Sequence, residues 1–265
     1  MGVQDFFSSI NPLYSLSGFA VGVLVGLTGV GGGALMTPLL VLLFGIHPST
    51  AVGTDLLYAA ATKTVGTGVH GASRTVDWRI VGTLAAGSVP ATILTLIVLS
   101  HVEKQMGLAN HVITVVLGVA LMATAVAILF RRIIVGFFAA RVAAISPRRT
   151  LIATITLGAI LGVLVSLSSV GAGAIGVTVL LILYPNLPAA KLVGSDIAHA
   201  VPLTLIAGVG HWLMGSVDFH LLFSLLTGSI PGIILGSLVA SRVPDRVLRP
   251  ILASTLAIVG GRLVF

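Results

Sequence analysis

The sequence predicts an all-α integral membrane protein, a polytopic helical bundle of two inverted repeats, each with about five helical segments including a short glycine-broken helix or re-entrant pair. Three observations lead there. Of 265 residues, 57% are hydrophobic and only 8% are charged, where a soluble domain carries roughly 25% charged residues. Apolar runs recur at the length a bilayer demands. The first half of the chain is also written a second time in the second half.

A hydrocarbon core of about 30 Å needs roughly 20 helical residues. Charged or Pro/Asn-bearing breaks delimit segments at 13–30, 34–45, 49–70, 79–99 and 110–130, then at 151–168, 174–184, 189–211, 219–240 and 246–264. The pieces 34–45 and 174–184 are short for a crossing, and each follows a glycine-rich break. The 32 glycines fit this class, because glycine lets membrane helices approach closely. With no positively charged stretch before its first apolar run, the N-terminus is not expected to be a cleaved signal. Phe6 stands where a myristoylation signal wants Ser or Thr, so lipidation is not expected either.

The repeat is specific. GVLVGLTGVGGGA (22–34) matches GVLVSLSSVGAGA (162–174) at an offset of 140, and VGTD (52–55) matches VGSD (193–196) at 141. The second offset also pairs His70 with His211, Asp77 with Asp218 and Pro90 with Pro231. The domains are therefore a first repeat over 1–130, a linker over 131–149 and a second repeat over 150–265. Counting each glycine-broken pair as one span divides Lys and Arg eight to five between the two sides. Letting the pieces cross separately, or fold back together, divides them eleven to two. The second count obeys the positive-inside rule far better. It implies inverted repeats in the cytoplasmic membrane with both termini outside the cytoplasm. The linker RRIIVGFFAARVAAISPRR mixes five arginines with apolar residues. It reads equally as an interfacial helix on anionic lipid and as a basic loop that sets orientation.

The net charge of +7 is accordingly a topology and lipid signal rather than a nucleic-acid footprint. Zero Cys removes disulfides, thiolate metal sites and Cys nucleophiles. No His spacing makes a metal site, and no cofactor is expected.

Candidate chemistry begins at the glycine breaks, 29–33 and 169–173, each leading into a short helix. A helix N-terminus offers unpaired N–H donors and a positive dipole end to an anion. Irregular backbone survives in a membrane only when buried in protein or lining a cavity. Thr28, Ser168 and Ser169 add hydroxyls beside the bends. Close packing alone explains such glycines equally well. Their recurrence in both halves favours an anion site at the repeat interface.

Asp55 and Asp196 lie inside apolar segments, preceded by Thr54 and Ser195. An aspartate at a helix centre costs roughly 2.5–3.5 kcal/mol on insertion scales, so symmetric acids point to function. The competing reading is a helix-start device satisfying backbone donors. Lys63, eight residues beyond Asp55, is the candidate to neutralise a bound anion or to pair with Asp55. His199, three residues after Asp196, is placed to hydrogen-bond it. His70 and His211 fall near helix ends and read first as solvated interfacial residues. With the two acids, these histidines are the candidates for proton coupling. Pro90 and Pro231 should kink their helices.

The stretches GLTGVGGGALMTPLL, AVGTDLLYAAATKTVG and HGASRTVDWRIVG followed by GSVP resemble the TauE/SafE sulfite-exporter family of membrane transporters, over essentially the whole chain as two copies. The resemblance implies transport of sulfite, thiosulfate or organosulfonate-type anions. It implies a site lined by Gly31, Gly32, Gly33, Thr54, Asp55 and Lys63, and by Gly171, Gly173, Ser195 and Asp196. The chain departs from the pattern at Ala172, in place of a middle glycine, and at Gly176-Val-Thr, in place of a Met-Thr-Pro continuation.

The expected function is thus secondary transport of a small sulfur-containing anion by alternating access, with proton coupling. The expected partners are that anion and membrane lipids, with a homodimer left open. A cation/proton exchanger built on the paired aspartates is the alternative. An enzyme has little support, since no Gly-x-Ser-x-Gly or His-Glu-x-x-His motif is present. A non-transporting scaffold would bind no anion at all.

Overall fold

A computed structural model describes residues 11–28, 33–72, 75–103, 108–142, 146–239 and 245–264. The described side chains are those of these ranges other than 28, 33–34, 65–66, 68–72, 103, 108–110, 139–142, 237–239 and 245–248. Every described element is a helix. In chain order they are α1 (Pro12–Thr28), α2 (Gly33–Leu42), α3 (Pro48–Ala72), α4 (Trp78–Glu103), α5 (Leu108–Leu129), α6 (Arg131–Val142), α7 (Pro147–Ser168), α8 (Ala174–Leu183), α9 (Ala189–Leu213), α10 (Phe219–Val239) and α11 (Asp245–Val264). Five stretches within them are long and apolar enough to cross a membrane: Trp78–Val102, His111–Leu129, Pro147–Ser168, Ala189–Leu213 and Phe219–Gly236. Nearly every sequence segment reappears within a few residues of its expected ends. The helices α4 and α10 run through Pro90 and Pro231.

The two halves interlock rather than sit side by side. The first-half helix α1 packs on second-half α10, and α4 packs on α7. Small residues make this possible. A β-carbon at Gly22 would stand 2.6 Å from the Ser229 carbonyl oxygen, and one at Gly162 would stand 2.6 Å from that of Ser88. These two contacts are repeat-mates, with the halves exchanged. Lipid tails supply no hydrophobic drive between helices, so such backbone-to-backbone approach and interhelical hydrogen bonds hold the bundle. Two apolar clusters follow the same exchange: Ile80 and Leu84 pack with Leu161 and Val165, while Leu221 and Leu225 pack with Val21.

At the centre α3 lies against α9, and at the flank α5 lies against α11, each helix beside its own repeat-mate. Both pairs run antiparallel. Gly53 meets His211 while Leu57 meets Gly208, and Gly118 meets Val264 while Met122 meets Gly260. The linker forms a helix, α6, which packs on the short helix α8.

Candidate functional site

Helices α3 and α9 each carry an acid at their eighth position, two turns in from Pro48 and Ala189. Neither acid starts its helix, so the reading of Asp55 and Asp196 as helix-start caps does not fit. Both are buried, at 0% and 1% exposure. Their surroundings differ. Asp55 accepts a hydrogen bond from the Thr37 hydroxyl of α2, and its other oxygen, Oδ1, has no partner. The Ser169 hydroxyl, on the bend of the opposite half, lies beside the same carboxylate.

Asp196 has no hydrogen-bond partner of good geometry on either oxygen. It lies against the Gly173 amide, at the N-terminus of α8. That terminus follows a bend in which Ser169 (φ 57°), Gly171 (φ 124°) and Gly173 (φ 113°) all take left-handed backbone conformations. A β-carbon at Gly176 would collide with Oδ1 of Asp196. Gly176, which takes the place of Met36 one repeat earlier, is therefore a residue whose missing side chain makes room for the acid.

Lys63 is 9% exposed, lies within the electrostatic reach of both acids, and forms no ion pair within 4 Å among the described residues. Its expected pairing with Asp55 is thus long-range. Arg131, the first residue of α6, also acts on Asp196. Among the described residues, no group of three or more His, Cys, Asp or Glu is placed to hold a metal.

Thr54 and Ser195 turn away from the acids to bind the halves together. Ser195 Oγ accepts the Asp77 amide at 2.8 Å, and Thr54 Oγ1 accepts the Asp218 amide at 3.0 Å. Ser168 is buried and bonds locally, donating to the Leu164 carbonyl at 2.6 Å and accepting from the Val170 amide at 3.2 Å. Gly31 and Gly32 lie outside the described residues, as do the side chains of Thr28 and His70. Gly33 opens α2.

Two histidine expectations need correction. His199 does not turn to Asp196: its Nε2 meets the Ser88 hydroxyl of α4 at 2.8 Å. Neighbouring positions on one helix share a face, but here the ring follows the partner across the bundle. His211 is not solvated: it is fully buried, with Nε2 at 2.9 Å from the Ser166 carbonyl of α7.

Sequence reasoning missed Thr37, Ser88 and Arg131. Ser88 had a signal, since it stands in the repeated Gly-Ser-x-Pro motif. Its mate Ser229 lies beside Tyr58, the repeat-mate of His199.

A family model described as "Sulfite exporter TauE/SafE" matches residues 14–263. The chain is 39% identical over 252 residues to "Probable membrane transporter protein YjnA" of Bacillus subtilis (strain 168), covering 94% of this chain and 98% of that one. It is 30% identical over 255 residues to "Probable membrane transporter protein YdhB" of the same organism, covering 93% and 97%. No solved structure matches the chain.

Proposed function

The chain belongs to the TauE/SafE sulfite-exporter family of membrane transporters, and from that premise we propose that it is a secondary transporter of small sulfur-containing anions, of sulfite, thiosulfate or organosulfonate type. It works by alternating access between two inverted repeats in the cytoplasmic membrane, with both termini outside the cytoplasm and α6 on the lipid interface.

The inverted arrangement is supported by the antiparallel pairs. Repeats related by an axis along the membrane normal would set α3 parallel to α9 and α5 parallel to α11. A twofold lying across the helices sets both pairs antiparallel, as found. The eleven-to-two division of basic residues supports the same reading.

One observation carries the anion reading: Asp196 stands unpaired against the Gly173 amide at the N-terminus of α8, with Lys63 and Arg131 within electrostatic reach. That position suits an anion, and the carboxylate occupies it. A proton taken by Asp196 removes the resident negative charge and opens the place to a substrate. Anion and proton then move in the same direction, the coupling being competition for one positively charged place.

A thermal-stability screen of the purified protein tests this. Sulfite, thiosulfate or a small organosulfonate should raise the melting temperature while chloride does not. Stabilisation by none of these anions, together with a shift produced by sodium or potassium, would favour the cation exchanger instead.

A further inference from the structure

Lys63 has no counterpart cation in the second half. The residue one repeat later is Thr204, and it is fully buried. A symmetric transporter site with a single lysine looks lopsided until its height in the bundle is worked out. Gly53 stands level with His211, and Leu57 with Gly208, on the antiparallel helices α3 and α9. Moving inward from these contacts by equal steps, each helix faces its own repeat-mate at Ala61–Thr62 on α3 and Pro202–Leu203 on α9. That level is where the local twofold passes.

Lys63 is the next residue beyond that level, about 2 Å away along the helix axis, so its long side chain is within reach of the twofold although the residue belongs to the first half in sequence. Asp55 lies eight residues from Lys63, and Asp196 lies eight residues from Thr204, so the acids stand on opposite sides of that level. Both acids act on the lysine, and neither is within ion-pair distance. At 3.6 residues per turn, Lys63 and Thr204 leave the α3–α9 contact by the same rotation. A twofold perpendicular to the helix pair carries both to the same side of it.

We propose that the protein holds one anion at a time on Lys63, and that this cation is shared by the two halves, so that its place beside the local twofold is what the site requires. The proposal rests on the anion-transport reading above. It makes the α8 terminus beside Asp196 one edge of a single anion site centred on Lys63, in place of two separate sites at the two glycine bends.

The test moves the charge across the twofold. Purified full-length Lys63→Thr should bind sulfite at least about tenfold more weakly, the loss of roughly 1.4 kcal/mol of binding energy. It should also melt lower by about 5 °C or more, because two buried acids lose their cation. Adding Thr204→Lys should recover most of both losses, and calorimetric titration of the wild type should give one sulfite per chain. A double variant that stays monodisperse yet keeps both deficits overturns the proposal, as do two sulfites per chain or an unchanged melting temperature in Lys63→Thr.

Should Thr204→Lys fail to assemble, Lys63→Thr is combined with Asp55→Asn or with Asp196→Asn. A shared cation predicts that either neutralisation recovers part of the melting loss, whereas recovery with one acid alone contradicts it. If the wild type binds no sulfur oxyanion, the transport reading fails on its own. The melting temperatures still decide whether the cation is shared.

Discussion

Ser195 Oγ accepts the backbone N–H of Asp77 at 2.8 Å, and one repeat away Thr54 Oγ1 does the same for Asp218 at 3.0 Å. Each bond ties the acid-bearing helix of one half to the residue that begins the next long helix of the other. Losing the hydroxyl leaves a part-buried N–H unsatisfied, at a cost of about 1–3 kcal/mol. Ser195→Ala and Thr54→Val should each lower the melting temperature by several degrees, at about 2–4 °C per kcal/mol for a chain of this size. The mates should substitute for one another, so Ser195→Thr and Thr54→Ser should melt close to the wild type.

Gly176 gives Asp196 its room, since a β-carbon there would collide with the carboxylate. Gly176→Ala should displace the acid from the α8 terminus and so reduce the pH dependence of sulfite binding. Gly82→Ala is the control: a β-carbon at Gly82 meets nothing within 4 Å. Titration calorimetry on both variants separates local displacement from a general effect of removing a glycine.

Competition between Asp196 and substrate fixes the sign of the pH response. Affinity for sulfite should rise as pH falls, because the protonated acid no longer occupies the anion's place. Asp196→Asn should bind at all pH values with much less pH dependence, measured against a buffer-matched wild type. Affinity that rises with pH would reverse the proposed coupling.

Thr37 donates to Asp55 across α2 and α3. Thr37→Val should destabilise the protein by about 1.5–3 kcal/mol, the range for hydrogen bonds to charged groups. Thr37→Ser should restore most of that loss. Melting curves of the three proteins decide it.

The sequence made some of this site legible and hid the rest for a physical reason. Helix extents follow from local properties, namely apolar length, charged breaks and the prolines at the starts of α3 and α9. The repeat offset then pairs Asp55 with Asp196 and Thr54 with Ser195 without any coordinates. What local pattern does not carry is the direction a side chain takes once another helix arrives. Thr37 is 18 residues from Asp55, and Ser88 is 111 from His199, so both become site residues only through packing. His211 reads as interfacial from its place near a helix end, yet α7 covers it and offers a carbonyl. Gly176 marks a departure from a family pattern, and only the position of Asp196 explains it.

The central claim is that a small sulfur anion crosses the membrane through the site around Lys63. Counterflow in proteoliposomes tests it most directly, with the purified chain loaded with unlabelled sulfite and given radiolabelled sulfite outside. The wild type should accumulate label transiently, faster at low pH, and Lys63→Thr should not. Label exchange in the wild type no faster than in protein-free vesicles, across sulfite, thiosulfate and a small organosulfonate, would contradict the account.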